Sequence, residues 1–233
     1  YHLFDKKKNK IAELNSEISW SFRLSGYTAN MKTTVSNISP WSSESPDLYT
    51  LVTTLSDVAG NQLDCRSHRI GFRNIRIEGS NLLVNGKRVM IRGVNRHEDD
   101  PETGKTLSME RMLEDIRLLK QFNFNAVRTS HYPNDHRWYD LCDEYGIYLV
   151  DEANFEAHAN YMTTCRNPRW KQAIISRAER MVLRDRSHAS IISWSLGNES
   201  GNGENHTAAA EMVRKLDSTR FVFHEGELKC GWG

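Results

Sequence analysis

Ile191-Ile192-Ser193-Trp194-Ser195-Leu196-Gly197-Asn198-Glu199 reads as an apolar strand that ends on an amide and a carboxylate. Gly197 permits a sharp backbone turn, so the polar pair is delivered to a rim. The same texture recurs upstream. Asn125-Ala126-Val127-Arg128 is a short buried strand leading to His131, and Ile147-Tyr148-Leu149-Val150 is another, leading to Asp151-Glu152. A strand over 88–91 precedes Asn95-Arg96-His97, and Phe221-Val222-Phe223 is the last of the series. Helical patterns lie between them. Ser108 caps a helix reaching 121, with Met112, Ile116 and Leu119 on one face. Others are expected over 136–145, stopped by Gly146, over 168–186, opened by Pro168, and over 204–217. Such alternation argues for a parallel sheet covered by helices. No G-x-G-x-x-G follows a strand, which leaves a dinucleotide fold without support. Chemistry-bearing residues sit after the ends of different strands, as on the active-site face of a (β/α)8 TIM barrel, of whose eight strands about five are legible. The α/β region is therefore expected to be a partial TIM barrel.

Before 72–75 the texture differs. Leu48-Tyr49-Thr50-Leu51-Val52-Thr53-Thr54-Leu55 is β-branched and aromatic and runs into the turn Ala59-Gly60-Asn61. This predicts antiparallel structure, part of an immunoglobulin-like β-sandwich over 1–73, with the barrel region over 74–233. The chain has 233 residues, 38% of them hydrophobic, and a net charge of +1, which gives no reason to expect a nucleic-acid partner. No apolar stretch approaches the ~20 residues of a membrane span. Lys6-Lys7-Lys8 reads as a solvated turn. Cys65, Cys142, Cys165 and Cys230 match no zinc spacing and are expected as free thiols. That expectation suits a cytoplasmic setting; no leader is visible at Tyr1, and secretion is left open because a signal upstream of Tyr1 could have been lost.

The strand-end residues suggest chemistry. A carboxyl beside Trp194 and other apolar surface should resist ionising, which suits a general acid at Glu199. The competing reading is a carboxylate capping a helix. Asn198 can hydrogen-bond a sugar hydroxyl. Glu156-Ala157-His158 puts a carboxylate and an imidazole on one side of an extended segment. With a third oxygen ligand they suit Mg²⁺ or Mn²⁺ rather than structural zinc, though a plain surface Glu and His is the alternative. His97 and His131 read as hydrogen-bonders to hydroxyls. Arg128 can orient a carboxylate by bidentate contact or form a rim salt bridge. Asp151 and Glu152 support the pocket or cap a turn. Trp41, Trp138, Trp170 and Trp232 are expected in cores, and His206 and Glu225 are weaker candidates for the pocket lining.

Together, Gly71-Phe72-Arg73, Asn85-Gly86-Lys87, Arg92-Gly93-Val94-Asn95-Arg96-His97-Glu98, Arg128 through Asn134, Asp151-Glu152-Ala153-Asn154 with Glu156 and His158, and Trp194 through Ser200 resemble the family 2 glycoside hydrolases, most closely their β-galactosidase branch. The resemblance runs from about residue 41 onward, where Trp41, Glu44, Pro46, Leu48 and Tyr49 look like the end of the sandwich. It implies a retaining hydrolase of terminal β-D-galactosides such as lactose, with Glu199 as acid/base catalyst. It further implies that Glu156, His158 and Glu199 hold Mg²⁺. His97, His131 and Asn198 would contact the galactosyl unit, and Arg128 would position the nucleophile. That nucleophile is expected from a later strand, about the seventh of the barrel, since Glu225 and Glu227 come too early. The chain is thus expected to supply the acid/base half of a site, to be inactive alone, and to need the remaining segments of a longer enzyme, which would be a homo-oligomer. β-Glucuronidase or another family 2 specificity is the nearest alternative. A non-catalytic carbohydrate-binding module is the alternative from outside the enzymes.

Overall fold

The computed structural model describes residues 1–21 and 26–225. Cys230, Trp232 and Glu227, named above, lie outside the described residues. The chain divides into two compact units, Tyr1–Pro40 with Asp47–Phe72, and Trp41–Pro46 with Arg73–Gly233.

The first unit is antiparallel, as expected of part of a sandwich. Its four-stranded sheet has the order Lys10–Glu13, His2–Phe4, Tyr49–Ser56, Gln62–Ile70. Ser19–Ser21 and Gly26–Thr28 pair separately. The Tyr49–Ser56 hairpin turns where the sequence predicts. Asp57 Oδ1 accepts the backbone N–H groups of Ala59 at 2.9 Å and Asn61 at 2.8 Å. Gly60 takes φ of 87°, which glycine adopts without a steric penalty.

In the second unit, Ile75–Glu78, Asn81–Val84 and Lys87–Arg88 form an antiparallel meander. The chain then enters a parallel sheet of five strands: β1 (Gly93–Arg96), β2 (Ala126–Thr129), β3 (Tyr148–Glu152), β4 (Ile191–Ser195) and β5 (Phe221–Phe223). Their order in the sheet is their order in the chain. A doubly wound sheet would reverse at a switch point; this one winds a single way, as part of a TIM barrel does. The helices α1 (Met109–Gln121), α2 (His136–Tyr145), α3 (Lys171–Asp185) and α4 (Glu204–Leu216) follow β1 to β4 in turn. Ser108 caps α1, its Oγ accepting the Arg111 N–H, and Gly146 ends α2 in the left-handed conformation.

The strand expected over 88–91 is displaced. The last strand of the meander ends at Arg88, with Val89 still donating its N–H to the Leu82 carbonyl at 2.9 Å, and Met90 and Ile91 are exposed. The first barrel strand starts at Gly93, where a Cβ would lie 3.2 Å from that of Ala126. An apolar run mimics a buried strand here, while close backbone approach selects the glycine. Asn95 and Arg96 therefore belong to β1 instead of following it, and Asp151 and Glu152 belong to β3. Pro168–Trp170 forms a single 3₁₀ turn before α3.

The core packs Met112 and Ile116 of α1, Trp138 and Leu141 of α2, Ala178 and Val182 of α3 and Val213 of α4 against Val127, Leu149, Ile191 and Trp194. Trp41 joins the second unit: fully buried, it donates Nε1–H to the Asp143 carbonyl at 2.8 Å and meets Tyr148 edge-on. Trp138 is likewise buried, but Trp170 is 46% exposed, against the expectation of a core site. It closes the 3₁₀ turn at the mouth of α3, before that helix presents its apolar face. Cys65 and Cys142 are free thiols, the first exposed and the second buried. Among the described residues no helix is long and apolar enough to cross a membrane.

Candidate active site

Side chains alternate across a strand, so consecutive residues at each strand end serve different layers. Glu152 faces the rim interior and is fully buried. Its Oε2 accepts Arg128 Nε–H at 2.7 Å and the Ser195 hydroxyl at 2.6 Å, and its Oε1 lies 2.7 Å from His131 Nδ1. Its backbone N–H donates to Thr129 Oγ1 at 3.0 Å. Strands β2, β3 and β4 and the loop after β2 thus converge on one carboxylate. The second arm of Arg128 donates to Asn198 Oδ1 at 2.8 Å, which turns the Asn198 amide nitrogen toward Glu156 Oε1, 3.3 Å away.

The neighbouring residues point the other way. Asp151 enters the helix layer, where Tyr139 donates its hydroxyl at 2.6 Å and Thr129 donates at 3.1 Å. Burial, then the charge of Asp185, pushes the Asp151 carboxyl well above the usual range, and its hydrogen bonds tie it to the helix layer. It neither supports the pocket nor caps a turn. Trp194 also faces outward, donating Nε1–H to Asp217 at 2.8 Å beneath the Arg220 guanidinium. It is therefore not the apolar wall beside Glu199 that the sequence suggests. Arg96, read from sequence with the rim, is buried over Trp138 and bonded to Glu98, Asp115 and Asn134.

Glu199 is placed by its backbone. Gly197 has φ of 136°, and a Cβ there would stand 2.2 Å from the Phe155 carbonyl oxygen. The N–H of Asn198 donates to that same oxygen at 2.9 Å, and Glu156 forms a parallel bridge with Asn198. The two loops are laced together, which gathers one ligand atom each from Glu156, His158 and Glu199 within 4.8 Å of one another. His158 Nδ1 lies 2.5 Å from Glu199 Oε2. Glu199 is not a helix cap: α4 starts at Glu204 with Gly203 as its N-cap. The rings of His97 and His131 meet edge-on at 5.3 Å, and His131 is fixed by Glu152. Arg128, His131, Glu156, His158, Asn198 and Glu199 thus lie in one cluster, with His97 joined through a ring contact.

Sequence reasoning missed the central place of Glu152 and the part of Ser195, although Ser195 stands two residues after Ser193 on the same strand face. It also misplaced His206, which is buried behind the Glu199 loop. His206 Nε2 lies 3.0 Å from Ser200 Oγ, and its ring stacks on His224 at 4.0 Å. Burial, then His224, holds the His206 pKa down to about 3 against an ordinary 6.5. The unfolded chain therefore takes up this proton first, and the stability present above pH 6.5 is lost as pH falls toward 3. A His206→Gln variant is expected to show a flatter melting temperature against pH across that window; an unchanged slope would refute the assignment.

The family models agree with this architecture. Residues 1–73 match "Glycosyl hydrolases family 2", and residues 75–231 match "Glycosyl hydrolases family 2, TIM barrel domain". The β-galactosidase of Photobacterium profundum is 48% identical over 190 residues, covering 80% of this chain and 18% of the relative. That of Clostridium acetobutylicum is 41% identical over 239 residues, covering 98% of this chain and 26% of the relative. The chain thus spans about a fifth to a quarter of the length of these curated relatives. Among solved structures, a β-glucuronidase from Ruminococcus gnavus in complex with C6-substituted uronic isofagomine superposes with a TM-score of 0.78 at 28% identity, covering 93% of this chain and 36% of that one. The β-D-glucuronidase of Dictyoglomus thermophilum gives 0.77 at 28%, covering 96% and 38%. The chain belongs to glycosyl hydrolase family 2, and its β-galactosidase relatives place it in that branch.

Proposed function

We propose that this chain supplies the acid/base half of the active site of a retaining β-galactosidase. The observation that carries this reading is the laced loop pair, which holds the Glu199 carboxyl at the end of β4 beside Glu156 and His158. In this reading Glu199 protonates the departing glycosidic oxygen and then takes a proton from the water that releases the sugar. A second carboxylate, from a segment after β5, attacks the anomeric carbon and is oriented by the Arg128 network. His97, His131 and Asn198 bind sugar hydroxyls. Two carboxylates and an imidazole suit Mg²⁺, or Mn²⁺, at Glu156, His158 and Glu199. The bound ion would supply positive charge that fixes the orientation of Glu199. The free thiols Cys65 and Cys142 support a reducing, cytoplasmic setting. Assembly as a homo-oligomer belongs to the same proposal.

A β-glucuronidase is the second reading, favoured by the structural neighbours at 28% identity. The sequence relatives at 41–48% identity favour the galactoside. The test is competition between chromogenic aryl β-galactoside and aryl β-glucuronide in the full-length parent enzyme, with Mg²⁺ and with chelator. A higher kcat/KM for the galactoside, reduced by chelation, is expected. Preference for the glucuronide would overturn the reading of the sugar.

A further inference from the structure

The loop that carries Glu199 is held from a side that takes no part in the site just described. Glu199 itself has φ of 40° and Gly201 has φ of 71°. A non-glycine residue in the left-handed region carries strain and persists only where its surroundings over-determine it. Three contacts from beyond β4 do so. At the end of β5, the Glu225 carboxylate accepts the Glu199 backbone N–H at 3.1 Å. The adjacent His224 donates Nε2–H to the Gly201 carbonyl at 2.6 Å. From α4, His206 Nε2 meets Ser200 Oγ at 3.0 Å. His206 and His224 are buried and stacked, so each fixes the other's ring plane. Opposite them, Gly201 and Gly203 pack so closely on Tyr161 and Cys165 that a Cβ would lie 2.2 Å and 2.6 Å from their carbonyl oxygens. Residues 199–201 are thereby clamped between β5 and the segment that follows His158.

We propose that Glu225, with the stacked pair His206 and His224, forms a positioning bracket for Glu199. It holds the backbone of the carboxylate in the left-handed conformation that aims Oε2 at His158. Glu225 touches the Glu199 main chain through its carboxylate, and His224 and His206 act two residues and one residue further along the loop. The inference rests on the acid/base reading of Glu199.

The test measures kcat/KM in the full-length parent enzyme on two β-galactosides, an alkyl one with a poor leaving group and a dinitrophenyl one with a good leaving group. Only the poor leaving group needs a well-aimed proton. Glu225→Ala is expected to lower kcat/KM on the alkyl galactoside roughly 10–100-fold, the cost of a small misplacement. On the dinitrophenyl substrate it should fall less than about threefold. Glu225→Gln keeps an acceptor oxygen and should restore most of the loss, and His224→Gln keeps a donor and should be milder than His224→Leu. Equal losses on both substrates, no loss, or failure of Glu225→Gln to rescue would overturn the bracket. Glu199→Gln is measured alongside. If it shows no leaving-group dependence, the acid/base reading itself fails. If it shows the dependence and Glu225→Ala does not, the bracket alone fails.

Discussion

Replacing Glu199 by glutamine is expected to lower kcat/KM of the full-length parent enzyme on an alkyl β-galactoside by about 10²–10⁴-fold, the usual contribution of a positioned general acid. Glutamine matches the carboxyl in volume and retains one acceptor oxygen. The loop should therefore keep its Gly197 turn and its contact with the Phe155 carbonyl. What disappears is the transferable proton and one unit of negative charge beside Glu156 and His158. The second loss has a readout that needs no turnover. Mn²⁺ titrated into the 233-residue chain by calorimetry should bind more weakly to the variant than to the parent chain. A Glu199→Gln enzyme with unimpaired kcat/KM on the alkyl substrate would exclude Glu199 as the acid. Equal Mn²⁺ affinity in the two chains would remove it from the metal site.

Replacing Glu152 by alanine should destabilise the chain by about 3–5 kcal/mol, the range for removing one partner of a buried ion pair. The carboxylate is fully buried and receives Arg128, His131 and Ser195 at 2.6–2.7 Å. Its loss leaves a guanidinium facing a cavity with one remaining partner there, Asn198 Oδ1. Glu152→Gln keeps the shape and one acceptor oxygen, so it should cost less. Urea unfolding of the parent and variant chains measures both. A loss under about 1 kcal/mol for the alanine variant would mean that Arg128, whose side chain is 17% exposed, finds enough water to dispense with its partner.

Much of the barrel region is legible in sequence because its signals are local. Ser108 before an amphipathic run, Gly146 after one, and the Asn85-Gly86 turn each specify backbone geometry within a few residues. The residues of the site are legible because a strand end places them, and the lacing of 155–158 onto 197–199 brings together what the sequence separates by some forty positions. Orientation is less legible. Trp194 and Glu199 are close in the chain, yet Trp194 points to Asp217 in the helix layer. The alternation that sends it there is visible only once the ends of the strand are known. The start of β1 is obscured for a similar reason: Met90 and Ile91 carry the composition of a buried strand, whereas Gly93 carries the close approach to Ala126 that the sheet requires. The clamp around residues 199–201 depends on α4 and β5 meeting one loop, a tertiary arrangement with no local signature.

Asp151 and Glu152 are chemically near-identical neighbours with opposite assignments: one carboxyl among the helices, its pKa raised by burial, and one hydrogen-bonded to Arg128 inside the rim. Their difference is set by counting alone. A chain shortened or lengthened by one residue within Tyr148–Glu152 would exchange their faces, setting the shorter aspartate before Arg128 and the longer glutamate in the closely packed helix layer beside Tyr139. Length changes are tolerable in the loops that separate strand from helix, but not inside β3. For anyone recombining segments of this region, the permissible crossover points are set by strand phase rather than by sequence identity.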